Sequence, residues 1–121
     1  MTVATYGGLT DVVEEAMERL LLEMEIEFDY FVVTQLYPLE LGDVLESVAR
    51  TKRFVFVEEG VKSFGVGAEV VATLLEADRQ FCCRRVGAAD VPIPCARQLE
   101  QQVLPSAQRV LEAIVDVLND G

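Results

Sequence analysis

The stretch that decides the fold is FVFVEEGVKSFGVGAEV, residues 54–70. It opens with a short apolar run, passes through two glutamates and a loop that contains glycines, and ends in an apolar segment with helical spacing. A short apolar run predicts a buried strand, and apolar residues spaced by three and four predict a helix. The resulting strand–loop–helix unit is compatible with a catalytic loop, a phosphate cradle or a structural turn.

Three further apolar runs predict strands on either side of this unit. They lie within TVATYGG (2–8), FDYFVV (28–33) and FCCRRV (81–86). FDYFVV has apolar or aromatic side chains on both faces, as expected of a strand that helices cover on two sides. Strands that alternate with helices predict one α/β domain, residues 1–121, with helices on both faces of the sheet.

Four helices are predicted from apolar stripes. The first has Thr10 as its N-cap and Asp11 in its first turn, where a negative charge is favourable. The stripes consist of Val13, Ala16, Met17, Leu20, Leu21 and Met24; Leu41, Val44, Leu45 and Val48; Ala68, Val71, Leu74 and Leu75; and Ala107, Val110, Leu111, Ile114, Val115 and Leu118. Before the last helix, Pro92 and Pro94 predict an extended segment that wraps over the domain.

The chain is acidic, with 21 Asp and Glu residues, 10 Lys and Arg residues and a formal charge of -11. This charge disfavours nucleic acid as a partner, since basic residues cluster only at 50–53 and 84–85. Acidic blocks such as residues 23–27 are typical of a solvated helix face, with docking of a basic protein as the alternative. No apolar run reaches the ~20 residues of a membrane span, so we expect no membrane partner.

The cysteine count and the absence of histidine limit the kinds of catalytic and metal-binding site that the chain can form. An odd number of thiols, Cys82, Cys83 and Cys95, without a secretory signal predicts an intracellular, cytoplasmic protein and not a disulfide framework. Neighbours on a strand point to opposite faces, which disfavours a metal site shared by Cys82 and Cys83. Because the chain has no histidine, Ser63 lacks the usual base of a serine hydrolase.

The glycines of the central loop do not match a nucleotide-binding motif. They fall at Gly60, Gly65 and Gly67, a spacing that fits neither the dinucleotide fingerprint nor the P-loop. Glu58 and Glu59 precede the loop and would repel a phosphate. Adjacent residues on a strand point apart, so these two carboxylates are poorly placed to flank one substrate. The residues thus favour a structural turn and predict no catalytic, cofactor-binding or metal-binding residues.

Taken in order, several segments resemble the C-terminal domain of the transketolase-like thiamine diphosphate enzymes. They are TYGG (5–8), VVTQLYPLELGDVLESVARTKRFVFVEEG (32–60), FGVGAEV (64–70) and GAADVPIPCARQLE (87–100), followed by the terminal amphipathic helix. The resemblance covers about Val3 to Leu118. Within that family the pattern is most similar to the beta subunit of the decarboxylating component of 2-oxo acid dehydrogenases.

The resemblance implies a three-layer α/β/α fold with a mixed sheet of five strands, one of them antiparallel. It implies that thiamine diphosphate and magnesium are held by other domains, and that this domain holds subunits together, as a separate subunit or as part of a longer chain. The expected partners are other dehydrogenase subunits, a basic acyltransferase domain or a second copy. Interface candidates are Glu58, Glu59, Gly60, Phe64, Gly65, Gly67 and Glu69, and docking candidates are Asp78, Asp116 and Asp120.

Two departures from the family pattern affect these expectations. The connection at 76–81 is short, so the docking acid of the relatives is missing or replaced by Asp78. The segment VKS (61–63) replaces an aromatic residue and a proline, which indicates a remodelled interface. A transketolase or deoxyxylulose-phosphate synthase domain and a freestanding interaction module remain the alternatives. If the host is eukaryotic, the resemblance implies the mitochondrial matrix.

Overall fold

A computed structural model describes residues 1–77, 80–89 and 104–120 of the chain. Strands and helices alternate along these residues. The elements are β1 (Thr2–Thr5), α1 (Thr10–Met24), β2 (Asp29–Val32), α2 (Gly42–Thr51), β3 (Arg53–Val61), α3 (Val66–Ala77), β4 (Cys82–Ala88) and α4 (Ala107–Asp120).

The described strands form one parallel sheet in the order β2–β1–β3–β4. In the centre of the sheet, Val3 of β1 lies between Tyr30 of β2 and Val55 of β3. The predicted five-stranded sheet with one antiparallel strand is not supported by these residues, which contribute four parallel strands. Each connection between successive strands contains a helix that returns the chain to the same edge of the sheet, and this geometry gives parallel pairing.

Helices cover both faces of the sheet, which confirms the three-layer α/β/α architecture. On one face, α1 and α4 bury Val13, Ile114 and Val117 against Val55 and Val57 of β3. On the other face, α2 and α3 enclose a second core, whose buried members are Ala4, Leu41, Val44, Val48, Phe54, Phe56, Val70 and Leu74. The adjacent thiols follow this division, because Cys82 packs against the first core and Cys83 against the second.

Several local predictions need correction. The N-cap of α1 is Leu9, and it makes no side-chain capping bond; helix formation begins at Thr10 itself. Strand β2 is only partly buried, because it lies at the edge of the described sheet. Strand β3 continues beyond the predicted apolar run to Val61.

Helix α3 is rotated relative to its predicted stripe, whereas the stripe of α4 is confirmed apart from one omitted residue. Helix α3 buries Gly67, Val70 and Leu74, whereas Leu75 is exposed. Helix α4 buries Val117, which the predicted stripe omitted. The proposed extended segment around Pro92 and Pro94, together with Cys95, lies outside the described residues. No helix within the described ranges is long and apolar enough to cross a membrane.

Candidate functional site

Strands β1 and β3 are the two central strands of the described sheet, and their carboxyl ends lie side by side. The helix after β1 covers one face of the sheet and the helix after β3 covers the other. Ligands of open α/β sheets bind where neighbouring strands lead to helices on opposite faces. The crevice at the carboxyl ends of β1 and β3 is therefore the candidate site, and most of the predicted interface residues lie there.

Glu58 is the last buried residue of β3 and is only 2% exposed. Its Oε2 accepts a hydrogen bond of 2.6 Å from the amide of Gly67 in the first turn of α3. Its Oε1 is buried and has no hydrogen-bond partner among the described residues. Burial raises the pKa of the Glu58 carboxyl, while the Gly67 amide and the charge of Arg85 act in the opposite direction. Glu58 thus caps α3 from inside the domain.

The glycines after Glu58 make room for this buried carboxyl group. A Cβ atom at Gly65 would overlap Glu58 Oε1 and would lie 2.5 Å from the carbonyl oxygen of Val61. A Cβ atom at Gly67 would lie 2.9 Å from Cδ1 of Phe56. Both contacts are closer than packed atoms tolerate, so the loop requires glycine at these positions. The glycine spacing therefore reflects close packing around Glu58.

Glu59 points to the opposite side, as expected for adjacent residues on a strand. Its carboxylate lies against the β1–α1 turn, since a Cβ atom at Gly7 would be 2.8 Å from Glu59 Oε1 and one at Gly8 would be 3.3 Å from Oε2. Gly7 has φ 80°, a conformation that glycine adopts without strain. Two carboxyl groups therefore lie at the end of β3. The Glu58 carboxyl lies beside the start of α3, and the Glu59 carboxylate lies beside the turn that leads into α1.

Tyr6 completes the crevice on the β1 side. Its ring stacks on Phe56 with a centroid distance of 6.1 Å. Its hydroxyl would be 3.4 Å from a Cβ atom placed at Gly60. Burial raises the pKa of the Tyr6 hydroxyl, and the charges of Glu58 and Glu59 raise it further. The electrostatic environment is thus acidic, which disfavours a phosphate at this position.

The loop between β3 and α3 projects Phe64 into solvent. Phe64 has a positive φ of 59° and is fully exposed, with a relative accessibility of 103%. The base of the loop is fixed to β4, because the Lys62 amide donates to the Ala88 carbonyl at 3.3 Å and Arg85 Nη1 donates to the Lys62 carbonyl at 2.8 Å. Phe64 therefore combines a strained backbone conformation with a solvated aromatic side chain, and the base of its loop is anchored to β4.

The remaining candidates do not join this crevice. Glu69 is exposed in the first turn of α3. Asp120 pairs with Arg84, and its carbonyl accepts a bond of 3.8 Å from the Cys82 thiol at the amino end of β4. It therefore lies at the opposite edge of the sheet, with Asp116 exposed one turn before it on α4. Asp78 lies outside the described residues.

A polar network beside β2 was missed by sequence reasoning. Thr2 Oγ1 lies 2.6 Å from Ser47 Oγ and 2.8 Å from Thr51 Oγ1, and Ser47 donates to Asp29 Oδ2 at 2.7 Å. Arg50 pairs with the same carboxylate. The Ser47 hydrogen bond and the Arg50 contacts lower the pKa of Asp29, although burial opposes them. The spacing of Ser47 and Thr51 by four residues, on one face of α2, is the signal that could have revealed the network.

The described residues thus form a three-layer α/β/α domain in which two carboxyl groups fill the crevice at the carboxyl ends of β1 and β3. The chain belongs to the transketolase C-terminal domain family, whose model matches residues 1–110. This confirms the family resemblance of the sequence.

Individual relatives agree with that membership. The chain is 29% identical over 123 residues to the mitochondrial pyruvate dehydrogenase E1 component subunit beta of Saccharomyces cerevisiae, covering 98% of this chain and 34% of that protein. For subunit beta-1 of Arabidopsis thaliana the identity is 31%, over 93% of this chain and 32% of the relative. A solved structure described as a split gene transketolase, inactive beta4 tetramer, has a TM-score of 0.83 at 25% identity and covers 98% of this chain and 39% of that one. The chain thus spans about a third of the length of these curated relatives.

Proposed function

We propose that this chain is the C-terminal assembly domain, or a separate small subunit, of a thiamine diphosphate-dependent 2-oxo acid dehydrogenase of the pyruvate dehydrogenase type. It does not catalyse the reaction alone and instead supports association of the subunits that carry the cofactor. The names of the relatives support the dehydrogenase class. The same names support an intracellular location for this chain, since they describe the yeast and Arabidopsis proteins as mitochondrial.

The single observation that carries the proposal is the exposed Phe64 on its anchored loop. A fully solvated phenylalanine at a positive φ is unfavourable in an isolated domain on both counts. Burial against a partner would offset the hydration cost, and aromatic residues are common anchors of interfaces. The interface then comprises the loop and its surroundings, with Glu58, Gly65 and Gly67 shaping it and Glu59, Gly60 and Glu69 beside it.

The crevice at the carboxyl ends of β1 and β3 does not fit thiamine diphosphate. A diphosphate is stabilised by positive charge, amide groups and a bound cation. Here Glu58 occupies the start of α3 and Glu59 lies against the turn before α1. Both groups would repel a diphosphate. We therefore place thiamine diphosphate and its magnesium ion on partner domains and assign no step of their chemistry to this chain.

The acidic α4 supports a second role, docking of a basic acyltransferase domain. Asp116 is exposed on α4, and Asp120 is half-exposed where it pairs with Arg84. An incoming cation would engage Asp116 directly but would compete with Arg84 for Asp120. Asp116 is therefore the stronger docking candidate of the two, and Asp78 stays a candidate from the sequence alone.

An alternative assignment is the same domain of a transketolase. The structural match to a protein described as a split gene transketolase supports this alternative. A freestanding interaction module is the remaining alternative. The three assignments differ in the partner that the chain recruits.

Affinity purification from the native host tests the proposal. The tagged chain is expected to recover subunits of a thiamine-dependent 2-oxo acid dehydrogenase, identified by mass spectrometry. Recovery of transketolase subunits would support the alternative, and recovery of neither would leave the freestanding module. Titration calorimetry of the isolated chain with thiamine diphosphate and magnesium provides a second test, in which measurable binding would contradict the proposal.

A further inference from the structure

A groove between the end of α1 and the start of β2 lies open at the edge of the sheet. This α1–β2 groove has a volume of about 250 Å³ and is lined by Met17, Glu18, Leu21, Ile26, Phe28 and Tyr30. Leu21 is 50% exposed. The Tyr30 hydroxyl is buried and has no hydrogen-bond partner within the described part of the chain. The lining is thus mainly apolar and incompletely covered.

No described element covers the groove from outside. Helix α4 packs against α1 within the core, and β2 pairs only with β1 in the described sheet. A volume of about 250 Å³ falls below the roughly 300–1,000 Å³ of small-molecule pockets. The size suits one inserted side chain better than a drug-sized ligand, and exposed apolar lining is typical of an interaction surface.

The charges around the groove select a cationic occupant. Glu18 is the ionisable carboxylate of the lining, and Asp11 and Glu14 lie close enough to Tyr30 to act with burial in raising the pKa of its hydroxyl. Helix α1 has no basic residue in its last turn, so no cation in that turn offsets the negative end of the helix dipole. The neighbouring Arg19 lies about 100° around the helix from Glu18 and so faces away from it.

From this arrangement we infer that the α1–β2 groove docks a basic segment of a partner protein. The segment inserts one large aliphatic side chain between Leu21 and Phe28 and places flanking Lys or Arg side chains against Glu18 and the acidic end of α1. A second copy of the chain fits poorly, because its charge of -11 would bring carboxylates against carboxylates. The groove lies beside the amino end of β2, apart from the Phe64 loop, and the inference does not depend on the dehydrogenase assignment.

The test uses a defined probe, the capped peptide Lys-Lys-Leu-Leu-Lys-Lys, titrated into the isotope-labelled 121-residue chain. Backbone amide NMR shifts are expected to saturate around Leu21, Phe28 and Tyr30 with a Kd below about 1 mM. A second peptide with serine in place of leucine measures the charge contribution alone. We expect it to bind at least about tenfold more weakly, since it lacks the apolar anchor.

Two neighbouring leucines provide a matched pair of variants. Leu21→Gln removes part of the groove and is expected to weaken peptide binding about tenfold. Leu22→Gln changes a residue that is 76% exposed and does not line the groove, so binding should stay within about twofold. Both sites are exposed on one helix, and thermal melts by circular dichroism verify that both variants fold.

Three results would overturn the inference. The first is an absence of saturable shifts up to about 1 mM peptide. The second is equal binding of the serine peptide, which would indicate only non-specific attraction to acidic residues. The third is a concentration-dependent dimer, seen by sedimentation and abolished by Leu21→Gln, which would assign the groove to a second copy.

Discussion

The amide of Gly67 donates a 2.6 Å hydrogen bond to the carboxyl group of Glu58 and thereby joins the end of β3 to the start of α3. The bond is buried, and the glycines of the β3–α3 loop pack against the Glu58 side chain, so the conformation of the loop depends on Glu58. The loop then turns sharply and exposes Phe64. The geometry of the proposed interface therefore depends on this internal cap together with the hydrogen bonds that join Lys62 to β4. Substitutions around the cap have distinct expected effects.

Gly65→Ala should destabilise the domain. The new Cβ would overlap Glu58 Oε1 and press on the Val61 carbonyl, so we expect a loss of about 1–3 kcal/mol in the free energy of unfolding. Gly42→Ala is the matched control, because a Cβ at Gly42 meets no atom within 4 Å. Its effect should stay within about 1 kcal/mol. Urea denaturation measures both, and equal effects would argue against close packing at Gly65.

Glu58→Gln should change how stability depends on pH. The folded state raises the pKa of Glu58, so its favourable contribution is present at low pH and is lost as pH rises through the folded pKa. Glutamine can keep the Gly67 bond and cannot ionise. We expect the variant to be more stable than the natural chain at neutral pH, with the difference vanishing towards about pH 4. A variant that is less stable at neutral pH would contradict this account.

Glu25→Gly should stabilise the domain. Glu25 ends α1 at φ 54°, and its charge lies at the negative end of the helix dipole. Glycine relieves the backbone strain and removes the charge, for an expected gain of about 1 kcal/mol. Glu23→Gly makes the same chemical change at the second-last residue of α1, which is still helical and where glycine is unfavourable by about 1 kcal/mol. Chemical denaturation should therefore rank the Glu25 variant above the Glu23 variant.

Phe64→Gly should raise the stability of the isolated chain and weaken its assembly with partner subunits. In the isolated chain the change relieves the positive φ of 59° and removes no buried contact, so the free energy of unfolding should rise by about 1 kcal/mol. The residues around the loop remain anchored through Lys62. A loss of stability, measured by urea denaturation, would show that Phe64 packs within the domain.

Local rules predicted the parts of the structure that depend on alternation along a strand. Glu58 and Glu59 point to opposite sides, and Cys82 and Cys83 enter different cores, as adjacent strand residues should. The succession of strands and helices was enough to predict the layers. The composition of the loop indicated a turn, although the role of Glu58 as its buried centre needed the structure.

The corrections arise where tertiary packing outweighs the pattern. A pattern of apolar side chains does not include glycine, so it does not predict that Gly67 is buried. For this reason the predicted buried face of α3 is rotated relative to the observed one. The apolar run of β2 suggested a covered strand, yet its position at the edge is set by the order of pairing, which a single sequence does not encode locally. The antiparallel fifth strand came from the family resemblance, and the described residues do not support it.

The most direct test of the central claim compares assembly of the natural chain and of Phe64→Gly with the thiamine-binding subunits recovered from the host. Sedimentation velocity of the purified mixtures reports the complex, and Leu22→Gln serves as the control for loss of an exposed apolar side chain. The account predicts a stable complex for the natural chain and the control, and at least about tenfold weaker association for Phe64→Gly. Equal association of all three chains would contradict a role of the Phe64 loop in subunit assembly.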